Sequence, residues 1–362
     1  MMVLTLFWQI GQPLRAATFY WDGDADATGN NAVTGASLGG TGSWNTITAN
    51  WWDGLSISDQ AWNNANNDTA IFWGANGGTV TLDAGGITAG ALQLKTTGYT
   101  LTGGTLALAG TGDITANLGT YSIIASLLNG TNGLTLAGAN NSGRGAVRLT
   151  NSANSYTGVT TINSGTLVID NNGELGTDTS TVAINGGQTP GLVGGSLMLL
   201  GNTSAGSYSS GFTLSRNLSM TGGGGGNVVQ TSALSGSALL SVGNNTISGL
   251  LTTVPNALGI QTGAASSFGV LTLSNLSIGG TAVTNYTTLG STSSIGSFNI
   301  NGTLAGTGSI QKTGFGTLIL SPTDATGFSG TLRVGAGSIR VSSVAALGSN
   351  AGTGANSVID LN

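Results

Sequence analysis

Cysteine and histidine are both absent from this chain, and charged residues make up only 6% of its 362 positions. Without cysteine no disulfide framework is possible. Without either residue there is no Cys/His zinc site, no Ser-His-Asp triad and no Cys-His nucleophile. Basic residues number 8 against 13 acidic ones, with a sequence pI near 4.3. Nucleic-acid phosphates need a basic footprint, so nucleic acid is excluded as a partner. Glutamate occurs once (Glu174) and lysine twice (Lys95, Lys312), which leaves the surface positions of helices without their usual residues. Proline occurs four times.

What is abundant is glycine, at 64 residues, with Thr, Ser and Asn in the polar positions. Hydrophobic residues reach 39% and the mean hydropathy is +0.22, so a packed core is expected and disorder is not. Thr suits strands; Ser, Asn and Gly suit turns. Short alternating segments bounded by Gly recur throughout: Gly78-Thr-Val-Thr-Leu-Asp83, Gly104-Thr-Leu-Ala-Leu-Ala109, Gly133-Leu-Thr-Leu-Ala137, Gly165-Thr-Leu-Val-Ile169, Gly195-Ser-Leu-Met-Leu199, Gly316-Thr-Leu-Ile-Leu320 and Gly330-Thr-Leu-Arg-Val334. Apolar residues at i and i+2 give each one buried face.

The organisation is in three parts. Residues 1–17 read as an export signal with a clipped start: Met1 to Ile10 is apolar, Gly11-Gln-Pro13 breaks it, and Ala16-Ala17 offers a cleavage site. Residues 18–75 hold every tryptophan beyond Trp8, namely Trp21, Trp44, Trp51, Trp52, Trp62 and Trp73. This region is expected to cap the fold. Residues 76–362 are repetitive. Tyr156-Thr-Gly158, Ile162, Gly165-Thr-Leu167 and Leu175-Gly176 recur as Phe328-Ser-Gly330, Val334, Gly337-Ser-Ile339 and Leu347-Gly348, all at one offset of 172 (330 − 158). Short strands with Gly turns allow a sandwich, a barrel or a solenoid; the repeat favours the solenoid, because stacked coils meet identical neighbours. Coils of roughly 20–25 residues at about 4.8 Å spacing would give a dozen of them.

The repeated residues carry a resemblance. Asn154-Ser-Tyr-Thr-Gly-Val-Thr-Thr-Ile-Asn-Ser-Gly-Thr-Leu-Val-Ile169, within residues 145–176, resembles the autotransporter-associated β-strand repeat of bacterial passenger domains. Lys312-Thr-Gly-Phe-Gly-Thr-Leu-Ile-Leu320, within 312–348, resembles a second copy whose middle departs at Pro322-Thr-Asp-Ala-Thr-Gly327. The opening Thr18-Phe-Tyr-Trp-Asp22, with Gly42-Ser-Trp44 and Asn50-Trp-Trp52, is similar to the start of such proteins. The resemblance implies an all-β, right-handed parallel β-helix of pectin-lyase-like, pertactin-like passenger architecture. It implies an adhesive passenger; with the signal-like start and the missing catalytic residue types, the expectation is an exported, non-enzymatic, monomeric protein that meets extracellular surfaces or glycans. Contact with a membrane would come only through an anchor outside this sequence. Strand-like sequence runs to Asn362, which reads as part of a longer protein.

Candidate sites are few. Asp22, Asp24 and Asp26 alternate and could offer hard oxygens to Ca²⁺, although the EF-hand positions for Gly and Glu hold Ala27 and Val33; otherwise no cofactor is expected. Trp51 and Trp52, with Trp44 and Trp62, could stack on a sugar, or else pack as the cap. Gly222 to Gly226 lacks the Lys-Ser/Thr of a phosphate loop. The enzymatic alternative, a β-helix lyase or hydrolase of acidic polysaccharide, would rest on Asp170, Glu174 and Asp178 with Arg144 or Arg148. Thr rows such as Thr79/Thr81 and Thr100/Thr102 are too irregular for a crystal-binding face.

Overall fold

A computed structural model describes residues 16–137, 145–186, 194–201, 211–221, 237–253, 258–262, 269–279, 286–291, 296–348 and 359–361. The export signal, Arg144 and the five-glycine run lie outside them. All seven Gly-bounded segments contain strands, from Thr79–Leu82 to Leu332–Val334. Among the described residues the remaining regular elements are single 3-10 turns, Asn172–Leu175 and Val344–Leu347, and no helix is long and apolar enough to cross a membrane.

Among the described residues the strands form two sheets, of 17 and 13 strands, in which neighbours come from successive passes of the chain. Almost every pairing is parallel. The antiparallel exceptions lie in the cap, where Thr18–Trp21 pairs with Ala49–Trp52, and Ala49–Trp52 with Gln60–Ala61. Twelve of the 13 strands in the smaller sheet begin after residue 76, in keeping with a dozen stacked passes. Their spacing is less even than 20–25 residues. Val147 stacks on Leu167, 20 residues on (167 − 147), and Leu197 on Leu239, 42 residues on (239 − 197).

The larger sheet bends. Thr105–Ala116 is one strand, yet its Thr105–Ala107 end pairs with Leu127–Asn129, while Asp113–Thr115 pairs with Thr135–Ala137. Glycine makes the bend possible. Gly112 has φ +71°, and a Cβ on Gly90, one pass earlier, would press into the Asn67 carbonyl. One continuous apolar core runs from Trp21 to Leu332, filled by the inward residues of each strand, such as Val80 and Leu82 of the pattern Thr79–Leu82. Gly165–Ile169 departs from alternation and is buried throughout; Val168 joins Ala146, Met198, Leu240 and Val242 in a second cluster on the other side of the smaller sheet.

The two sequence copies are the same local unit placed in opposite phase. Gly165–Ile169 belongs to the 13-stranded sheet, and its counterpart Ser338–Val341 to the 17-stranded one. The offset of 172 therefore spans a half-integral number of passes. What recurs is local: strand, tight turn, strand, then a 3-10 turn ended by Gly176 or Gly348, each at positive φ against the carbonyl of Tyr156 or Phe328.

Candidate functional site

The cap is built around tryptophan. Trp51 lies 4.8 Å from Trp44, 4.7 Å from Trp62, 5.3 Å from Trp21 and 5.7 Å from Phe72, measured between ring centroids. Trp52 is also buried, and its Nε1 donates to the Ser56 carbonyl at 2.7 Å. Neither ring presents a face to solvent, so the sugar-stacking expectation does not hold for Trp51 and Trp52. Alternation explains it: Trp21 and Trp51 are register partners pointing into the core, and Tyr20 and Trp52 are partners behind them. The partly exposed rings of Trp73 and Tyr20 carry the Lys95 ammonium, 4.2 Å and 5.9 Å from the two ring centroids.

Asp22 is buried, whereas Asp24 and Asp26 are exposed. The strand ends at Trp21, and Ala25 at φ +58° turns the chain. Asp24 and Asp26 are thrown outward, where each carboxylate caps the backbone N–H two residues on, of Asp26 and Thr28. Asp22 is 1% exposed. Among the described residues no three acidic side chains converge as a metal-holding group, so the triple Asp22/Asp24/Asp26 is not one site. Burial pushes Asp22 up to about 7 and raises Asp59 as well. The exposed Asp24 and Asp26 line an open cleft of about 430 Å³ with Gly23, Thr28, Ser37 and Asn76, among others.

The acidic residues weighed for catalysis are structural. Asp170 accepts from Arg148 Nη2 at 2.5 Å. Asp178 caps Ser180 N–H. Glu174 is fully buried; its Oε2 accepts from the backbone N–H groups of Asp170 and Asn171, closing a capping box with Asn171. Burial pushes Glu174 up to about 8. Its unpartnered Oε1 is where the proton of a neutral carboxyl would sit. A folded value raised above the unfolded one gives stability that is complete below about pH 4.5 and lost as pH rises through about 8. The unfolding free energy from urea titrations at pH 4 to 9 should therefore fall on the order of 3 kcal/mol. Glu174→Gln, an isostere of the neutral acid, should flatten that decline; an unchanged slope would place the titration elsewhere.

Outer polar side chains run in columns along the stack. Asn185 Nδ2 donates to Asn163 Oδ1 at 2.7 Å, and Thr221 Oγ1 to Asn185 Oδ1 at 3.0 Å. Thr79 and Thr81 stack on Thr100 and Thr102, but the column passes from Thr100 to Ile123, which interrupts any regular Thr face.

Sequence reasoning passed over Asp59, which looks like one loop residue among several, and Lys312, which looked only like part of the repeat. The signal for Lys312 was its rarity in a chain with two lysines.

No family model matches the chain, and no solved structure matches it. Among curated proteins, the adhesin BmaC autotransporter of Brucella suis biovar 1 (strain 1330) is 39% identical over 212 residues, 58% of this chain. The chain spans about 5% of that protein's length. The likeness bears out the resemblance to autotransporter-associated passenger sequence drawn from the two repeats.

Proposed function

We propose that this chain is an exported, non-enzymatic passenger segment, wound as a right-handed parallel β-helix, that acts in adhesion by presenting Thr, Ser and Asn columns to surfaces or glycans. The observation that carries this reading is the 39% identity to an adhesin over 58% of the chain. Parallel strands stacked pass upon pass are what such a rod requires. The columns Asn163–Asn185–Thr221 supply repeated donors and acceptors at strand spacing. The acids of the enzymatic alternative are tied into an ion pair, a buried capping box and a turn cap, which engages them in holding the fold.

The test uses the purified chain on a glycan array and on immobilised extracellular-matrix proteins. Saturable binding that weakens when Asn163 and Asn185 are replaced by Ala supports the reading. Product release from acidic polysaccharides that disappears with Asp170→Ala overturns it, as does failure to bind any surface.

A further inference from the structure

The N-terminal cap contains a group of buried oxygens with no donors. Asp22 ends its strand directly opposite Asn50: its backbone N–H donates to the Asn50 carbonyl at 2.9 Å, and the ladder of Tyr20–Trp52 and Trp21–Trp51 continues to this pair. Side chains so paired stand on one face, about 5 Å apart at Cβ. Asn30 reaches the same point from the following loop, with Nδ2 donating to Asp22 Oδ2 at 2.5 Å. Asp59, in the loop before Gln60–Ala61, lies close enough for its carboxyl and that of Asp22 to feel each other's charge.

These four residues leave Asp22 Oδ1, Asp59 Oδ1 and Oδ2, Asn30 Oδ1 and Asn50 Oδ1 buried and unpartnered. Asp22 is 1% exposed and Asn50 5%. Every one of the five atoms is an acceptor. Unpaired buried oxygens of this kind are costly. The charges felt by the pair are all negative, from Asp24, Asp26 and Asp53. Lys95, the cation of the cap, is engaged over Trp73 and Tyr20. Two carboxylates and two amide carbonyls form a hard-oxygen set of buried, unpartnered atoms. That set suits Ca²⁺, which accepts irregular all-protein oxygen cages, better than Mg²⁺, which keeps its waters.

We propose that Asp22 and Asp59, with the side-chain carbonyls of Asn30 and Asn50, bind a divalent cation of the calcium class and thereby lock the two loops of the cap onto its first strand. This site is distinct from the Asp22/Asp24/Asp26 triple, and it stands independently of the adhesive reading. It accounts for acidic side chains pointing inward where nothing basic meets them. In the absence of the cation the same pair can be quieted only by a proton, and the two cases have opposite pH signatures. A shared proton loses stability as pH rises from about 4 through 7; a bound cation gains hold over the same range, because its ligands must be ionised.

The experiment titrates the full chain with Tb³⁺ at pH 7.5, reading luminescence sensitised by the tryptophans beside the site, and melts it in 5 mM CaCl₂ or in EDTA, both as chosen conditions of about the extracellular calcium range. Expected are a saturable Tb³⁺ signal displaced by Ca²⁺ and a melting temperature about 3 °C higher with Ca²⁺. Asp59→Asn should weaken Tb³⁺ binding at least about tenfold, and Asp26→Asn, which removes only a neighbouring exposed charge, should weaken it far less. Asn30→Ser serves as a second variant in case Asp59→Asn does not fold. A flat Tb³⁺ titration overturns the proposal. So does a melting temperature indifferent to Ca²⁺ that falls between pH 4 and 7, which would assign the pair a shared proton.

Discussion

Replacing Trp51 with alanine is expected to cost about 4 kcal/mol and to unravel the cap before the rest of the chain. Trp51 sits at the middle of the aromatic cluster, with Trp21, Trp44, Trp62 and Phe72 around it. Alanine leaves a cavity walled by rings that the surrounding strands hold in place, so little collapse can fill it. The cap closes the first strands of the stack, and a fold in which each pass touches only its neighbours loses an end locally. Hydrogen exchange should show amides of Thr18–Trp21, Ala49–Trp52 and Thr69–Phe72 losing protection, with Ser297–Gly306 and Thr317–Leu320 unaffected. Leu55→Ala, at a side chain 91% exposed, should change neither. Trp51→Phe should cost far less, because it keeps an aromatic ring and removes an indole N–H that has no partner. Uniform loss of protection along the chain after Trp51→Ala would show the cap and the stack to be one cooperative unit.

Lys312→Met is expected to cost about 3 kcal/mol. Lys312 is fully buried. Its ammonium donates to the carbonyls of Thr313, Gly314 and Phe315 at 2.7, 2.9 and 3.0 Å, and reaches the carbonyl of Ala336 at 3.5 Å. These carbonyls belong to the tight turn between the strands Ser309–Gly314 and Thr317–Leu320, and to the next turn of the stack. Burial pushes the ammonium down to about 8, while the ring of carbonyl dipoles favours its charge. Methionine fills the volume but leaves the carbonyls without a donor. Arginine cannot substitute, since the space is closed: even a Cβ on Gly337 would lie 2.8 Å from Nζ. Urea denaturation followed by circular dichroism gives the cost. The loss of exchange protection should centre on residues 309–341, and a change under 1 kcal/mol (about the value of one ordinary hydrogen bond) would mean that water replaces the ammonium.

The strands were legible in the sequence because each carries its own signal: Gly to enter the turn, then Leu or Val at every second position. Gly316-Thr-Leu-Ile-Leu320 needs no partner to be recognised, and it is a strand. Stacking was legible from the recurrence of one unit. Its phase was not, since Gly165–Ile169 and Ser338–Val341 are alike in sequence and lie on different sheets; how many residues fill each intervening turn decides that. The tryptophans announced an unusual region, but counting rings does not tell a buried cluster from an exposed platform. That depends on the antiparallel register of Trp21 with Trp51. The alternation of Asp22, Asp24 and Asp26 suggested one face, but the strand ends at Trp21 and only Asp22 stays buried. Asp59 meets Asp22 across 37 residues (59 − 22) through loop packing, a meeting for which no spacing rule exists.

The stacked parallel arrangement on which this account depends can be tested by cross-linking, helped by a background with no cysteine. Thr161 is the register partner of Ala183, and Ala183 of Ser219, all three partly exposed. Adjacent parallel partners lie about 4.8 Å apart, within disulfide reach, and second neighbours lie about 10 Å apart, beyond it. In air-oxidised protein, Thr161→Cys with Ala183→Cys should form an intramolecular disulfide nearly to completion, and Thr161→Cys with Ser219→Cys should form none. Equal yields for the two pairs, or a higher yield for the second, would contradict the stack.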